Sequence, residues 1–157
     1  MTGILLLSFL LTGCGSPEPQ TGKKMSMYYI NTAETKVEVH EQYLNTKTLD
    51  EQLDETMRYL STTPEKLEYK APLDMGFHVL DYEVEDGKLL INVDKAYSEL
   101  SPTTEVLVRA AIVRTLTQLP NVKYVGITVE DSQLYDNAGE MVGWMNADQF
   151  INNDGNE

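Results

Sequence analysis

The sequence predicts an α+β domain: a small mixed β-sheet with two helices packed on one face, in the order β-α-β-β-α-β. Three observations carry this. Two segments place apolar residues at helical spacing, and each opens on a capping signal. A hairpin pattern lies between them, and alternating strand-like segments flank the set.

Residues 25–30 are apolar and aromatic, including Tyr28 and Tyr29, and read as a strand ending at the turn-prone Asn31 and Thr32. Residues 36–41 alternate polar and apolar, as a half-exposed second strand would. Thr48 with Glu51 three residues on has the spacing of a capping box, so the first helix is expected over residues 49–60. Leu49, Leu53, Met57 and Leu60 would form its buried face, with Asp50, Glu51, Asp54 and Glu55 off it. Ser61, Thr62, Thr63 and Pro64 would end it. Residues 65–76 read as an irregular connection.

Residues 77–85, the turn at Asp86 and Gly87, and residues 88–93 form the hairpin. Ser101 followed by Pro102 starts the second helix, which runs to about Leu119. Its broad apolar surface comprises Val106, Ala110, Val113 and Thr117, with Leu107, Ala111 and Leu116 beside them. Pro120 and Asn121 stop it, and residues 122–130 alternate as a last strand. A turn is expected at residues 136–139, between Leu134 and Tyr135 on one side and Met141 and Val142 on the other. Residues 151–157 form a polar tail.

The N-terminus reads differently. Residues 4–11 are an apolar run too short to span a bilayer and suited to a signal peptide. Leu11, Thr12, Gly13 and Cys14 resemble a bacterial lipobox, which implies cleavage before Cys14 and a lipid on its thiol. Residues 1–13 are thus the expected signal peptide and residues 14–24 a lipidated, polar tether rich in Pro and Gly. No Lys or Arg precedes the apolar run, which points to a start codon further upstream. The predicted location is the outer face of the cytoplasmic membrane, held there by lipid in the bilayer.

The chain has 157 residues, with 25 acidic and 12 basic ones, a net charge of -13. Such a surface repels phosphate, which excludes nucleic acid as a partner and favours a basic protein. The single cysteine excludes internal disulfides and cysteine metal clusters.

No motif arranges a catalytic or metal site. His40 and His78 fall in separate strands without ligand spacing. Residues 131–140 lack the spacing and central glycine of a calcium loop. Ser98, Ser101 and Ser132 lack a nucleophile setting. The carboxylates Asp81, Glu83, Glu85 and Asp86 read as a solvated face. No cofactor or catalytic residue is expected. Gly143 and Trp144 are the candidate partner contacts, with Trp144 alternatively capping the core edge.

The stretch of residues 111–125 resembles the GerMN (sporulation and spore germination) domain. Thr115, Leu116, Thr117 and Gln118 are similar to the run that ends that family's helix. Pro120, Val122 and Val125 match the following turn and strand. Tyr28, Tyr29, the helix segment 53–60 and residues 87–94 support the likeness, which covers residues 25–150. The chain departs at Thr63 and Pro64, where members often carry Gly-Pro, and at Asp131 and Ser132, where a glycine is common. The resemblance implies a fold like the ring-building motif of secretion systems. It also implies a non-catalytic interaction domain on envelope lipoproteins of Gram-positive bacteria, with envelope or spore-assembly proteins as partners. The alternative is a lipoprotein that binds a small ligand or a cell-wall polymer; a hydrolase ranks third.

Overall fold

A computed structural model of the chain describes residues 22–63 and 68–150. The signal peptide, the lipobox with Cys14, most of the tether, Pro64 and the polar tail lie outside the described residues. Strand β1 (Lys23–Asn31) pairs antiparallel with β2 (Val37–Leu44) along its whole length. Lys23 and Lys24, assigned above to the tether, are therefore strand. Asn31 closes the connecting turn, its Oδ1 accepting from the N–H groups of Thr35 and Lys36.

Helix α1 (Leu49–Leu60) begins with the expected capping box of Thr48 and Glu51. A short strand β3 (Tyr69–Lys70), inside the segment read as irregular, pairs with the end of β1. The hairpin of β4 (Val79–Glu85) and β5 (Lys88–Val93) follows, turning at Asp86 and Gly87, both at positive φ. A 3-10 turn (Lys95–Glu99) leads into α2 (Pro102–Leu116), capped by Ser101 as predicted. Strand β6 (Tyr124–Val129) lies parallel to β5, and the two-residue β7 (Ser132–Gln133) closes the edge.

The α+β class with two helices is observed, but the strands divide into two sheets, β2-β1-β3 and β4-β5-β6-β7. A continuous sheet is blocked because the edge of β1 away from β2 is already occupied. β3 takes its end, and side chains from the C-terminal turn of α2 take the middle.

Each helix buries much of its expected apolar face, with Met57 and Leu60 on α1 and Ala110, Ala111, Val113 and Leu116 on α2. Each also exposes one expected apolar residue and buries others outside that face. On α1, Leu49 is 38% exposed, while Gln52, Glu55 and Thr56 are buried beside Met57 and Leu60. Glu55 is inward because it accepts from the backbone N–H groups of Asn45 and Thr46 and from the Thr46 hydroxyl. Burial alone would raise its pKa; these hydrogen bonds outweigh it and hold the carboxyl below the usual range.

α2 is covered on most sides, with Val108, Ala111, Ile112, Val113 and Leu116 at most 1% exposed, yet Val106 faces solvent. It ends at Leu116, and residues 117–119 are a turn rather than helix. A helix buried nearly all round has no single apolar stripe, so a stripe drawn from spacing misplaces Val106.

Candidate functional site

The polar residues at the end of α2 are spent on the backbone of β1. In an antiparallel pair, alternate residues turn their N–H and C=O groups toward one edge. Ile30 pairs with Lys70 on the edge away from β2, so Ser26 and Tyr28 face that same edge. There Ser26 N–H donates to Gln118 Oε1 (3.0 Å), and Gln118 Nε2 donates to Ser26 C=O (2.7 Å). Tyr28 N–H donates to Thr115 Oγ1 (3.0 Å). Gln118 thus copies the two-way pairing of a neighbouring strand with a single amide.

The neighbouring motif residues fill other structural needs. Thr115 and Thr117 donate to the carbonyls of Ala111 and Val113. Leu116 and Val125 are fully buried and Val122 is 4% exposed, while Pro120 is exposed in the turn. Val125 exchanges backbone hydrogen bonds with Met145, both 2.8 Å. This pairing brings the segment that follows β7 back across β6 and so places Trp144.

Trp144 lies on the outer face of the second sheet. Its ring covers Gly126, so close that a Cβ there would stand 2.8 Å from Cζ3. The Lys88 ammonium sits 5.3 Å from the ring centroid, in cation–π range. Trp144 remains 42% exposed and Tyr124, on the same strand as Gly126, 41%. Gly143 is exposed beside it. The two readings of Trp144 therefore meet in one residue, seated on a strand on one side and open to solvent on the other.

Further along this face, Asn92 is 4% exposed and donates to both Asp81 (3.0 Å) and Asp131 (2.8 Å). Its Oδ1 accepts from Asp131 N–H. This clamp holds the β6–β7 turn, where Glu130 and Asp131 both adopt positive φ, at 47° and 62°. Two-residue hairpin turns of this hand usually need Asn-Gly or a similar pair. Nothing in the spacing of Asn92 signals its role.

Several titratable groups are held in structural pairs. Glu105, buried on α2, accepts from Tyr97 Oη (3.0 Å) and from Arg109 Nη2 (2.9 Å). Arg109 Nε is 2.6 Å from Glu105 Oε1, but its N–H is misaligned and makes no hydrogen bond. Burial pushes the Tyr97 hydroxyl well above its ordinary pKa, with the Glu105 charge adding to it. Glu34 pairs with Lys70 and accepts from Thr104 Oγ1 (2.6 Å), and these two contacts hold it below the usual carboxylate range.

His78 bonds Asp94 at 2.9 Å, just ahead of β4, and His40 lies on β2 in the other sheet. Among the described residues no group of three or more His, Cys, Asp or Glu converges as a metal site. A depression of about 590 Å³ lies over the end of α2, lined by Tyr28, Arg114, Thr117, Gln118, Ala147, Asp148 and Phe150. Arg114 stacks over Tyr28 across it, 4.2 Å from the ring centroid. No helix among the described residues is long and apolar enough to cross a membrane.

A protein-family model described as "Germane: Sporulation and spore germination" matches residues 26–135, which include most of β1, both helices and the segment from Thr115 to Val125. The chain belongs to this family. The structure of the tandem GerMN domains of the sporulation protein GerM from Bacillus subtilis is similar, with 18% identity and a TM-score of 0.56. That likeness covers 86% of this chain and 49% of the tandem structure, so the chain spans about half its length. The first GerMN domain of the same protein alone is similar at 14% identity and a TM-score of 0.58, covering 77% of this chain and 94% of that domain. At these identities the likeness establishes a shared GerMN fold. No curated protein gives a significant match. Within this GerMN domain, the helix end that carries the resemblance is the part that closes the β1 edge.

Proposed function

We propose that this chain is a membrane-anchored lipoprotein outside the cytoplasm whose GerMN domain binds other proteins, without catalysis, in sporulation, germination or envelope assembly. The observation that carries the reading is the outer face of the second sheet. It carries exposed aromatic side chains at β6, with Trp144, seated over Gly126, 42% and Tyr124 41% exposed. Such a surface suits a protein partner better than a small ligand, which needs a concave site. Several buried or half-buried polar groups are committed to structural contacts: Gln118 and Thr115 to β1, Glu105 to Tyr97 and Arg109, Glu34 to Lys70 and Thr104.

Anchoring rests on the lipobox ending at Cys14, whose thiol would carry the lipid. Two measurements test the proposal. Cys14→Ala in the full-length gene should move the protein from the membrane fraction to the medium; retention in the membrane rules out the lipid anchor. Affinity capture from solubilised membranes should recover defined proteins with the wild-type chain and fewer with Trp144→Ser. Recovery of none by the wild-type chain would end the interaction reading.

A further inference from the structure

The second sheet leaves one long edge unpaired. β4 has β5 on one side, and the N–H and C=O groups on its other side have no partner among the described residues. Unpaired strand edges are templates for a further strand, and proteins usually blunt them. β4 is blunted by charge of one sign. Asp81, Glu83 and Glu85 sit opposite Asn92, Leu90 and Lys88, so they share the outer face at alternate positions.

Asp81 is partly engaged by Asn92, but Glu83 and Glu85 have no ion pair or hydrogen bond among the described residues. Lys88 stands opposite Glu85 in register, yet its ammonium lies over Trp144 instead. The same strand exposes apolar groups, with Leu80 53% and Val84 40% accessible.

We infer that β4 is a docking edge for an extended segment of a partner protein in which Lys or Arg alternates with apolar residues. Backbone groups would extend the sheet by one strand. The basic side chains would stand beside Glu83 and Glu85, within reach of cross-strand neighbours about 4.5–5.5 Å apart. The edge excludes a second copy of itself, because pairing two β4 strands sets carboxylates against carboxylates.

The outer edge of β2 is also unpaired but differs in charge. Its Glu38 and Glu41 are neutralised by Lys36 and Lys24, both at 2.7 Å. Charge complementarity therefore singles out β4. The inference rests on the interaction reading above and adds the surface and the chemistry of the partner to it.

The test uses the full chain and a synthetic peptide, blocked at both ends, of nine alternating Lys and Val residues. Binding is expected to slow hydrogen exchange of the backbone amides of residues 79–85. The same peptide with every backbone nitrogen methylated keeps its charge but cannot donate, and should bind at least about tenfold more weakly. A Glu-Val peptide should not bind. Glu83→Lys with Glu85→Lys should weaken the Lys-Val peptide about tenfold or more, while Glu99→Lys with Glu140→Lys, an equal charge change elsewhere, should stay within about twofold.

The inference is overturned by equal binding of the methylated peptide, by protection at residues 37–44 instead, by indifference to the β4 pair, or by no binding. Membrane capture separates the two levels. If the wild-type chain recovers partners and the Glu83→Lys, Glu85→Lys chain recovers the same ones, β4 is not the docking edge although the interaction reading stands. If the wild-type chain recovers nothing, that reading itself has failed.

Discussion

Two strand edges in this domain receive opposite treatment. The edge of β1 away from β2 is closed from within: Gln118 pairs both ways with Ser26, and Thr115 takes the N–H of Tyr28. The edge of β4 is left without backbone partners among the described residues and carries Glu83 and Glu85 instead. The first solution uses neutral side chains aimed inward and fixes the architecture, because it stops the two sheets from merging. The second uses charge aimed outward and leaves hydrogen-bonding capacity in reserve. The difference separates what the family segment is for from where a partner would bind. Residues 115–118 serve the fold, and the edge inferred to take a partner lies on the other sheet.

The contrast breaks most visibly at Gln118. Gln118→Leu would leave the N–H and C=O of Ser26 without partners in a half-buried position. A loss of about 3 kcal/mol is expected, counting roughly 1–3 kcal/mol for each unsatisfied group. Urea unfolding measures it, and native-state exchange should show the Ser26 amide among those that speed up most. A loss below about 0.5 kcal/mol would mean that the amide pairing is dispensable and that the β1 edge is held by other contacts.

The next effect concerns the other sheet. Gly126→Val would drive a side chain into the Trp144 ring, where a Cβ alone stands 2.8 Å from Cζ3 and 3.2 Å from Leu90 Cδ1. Overpacking of this kind costs about 1–3 kcal/mol unless the obstructing group can leave. Trp144 can leave, being 42% exposed, so the expected result is a displaced indole and a stability loss of about 2 kcal/mol or less. Because the chain has one tryptophan, a red shift in its emission reports the displacement directly. An unchanged spectrum would show that the ring is not seated on Gly126.

A smaller change sharpens the first edge again. Thr115→Val preserves shape and burial but removes the acceptor for Tyr28 N–H and the donor to Ala111 C=O. A loss of about 1–2 kcal/mol is expected from the unpaired amide. Glu83→Gln on β4 is the matched control, with a change within about 0.5 kcal/mol, since the carboxylate is exposed and has no partner among the described residues. Equal losses at the two positions would erase the distinction between a closed edge and an open one.

Local signals in the sequence marked the elements well. The Thr48 and Glu51 capping box, the Ser101 and Pro102 start and the Asp86 and Gly87 turn each act within a few residues, and each stands where expected. What the sequence concealed depends on tertiary partners. Glu55 looks like a solvent-facing helix residue until the loop at Asn45 and Thr46 folds over it. Val106 fits an apolar stripe until α2 proves to be covered from several sides. Asn92 becomes a clamp only because Asp131 arrives from another strand. The division into two sheets was hidden for the same reason, since the edge of β1 is taken by β3, Thr115 and Gln118, all distant from it in sequence. The motif residues were legible as a pattern, but their purpose required geometry.

The smallest expected effect is a dependence on pH that distinguishes committed carboxylates from free ones. Glu34 is held below the usual carboxylate range by Lys70 first and Thr104 second, and it joins the β1–β2 turn, β3 and the start of α2. A carboxyl whose pKa is lower in the folded than in the unfolded chain stabilises the fold fully above its unfolded value. That contribution fades as pH falls through the folded value, because the unfolded chain takes up its proton first. Stability should therefore decline below roughly pH 4, the ordinary range for a glutamate. Glu34→Gln removes this one contribution without changing shape, so the variant should be less stable than wild type at pH 7, and the gap should narrow as pH falls toward 3. Parallel curves from pH 7 to 3 would mean that Glu34 is not ionised against Lys70 and Thr104 in solution, and the first sheet would lose its charged tie to the helix.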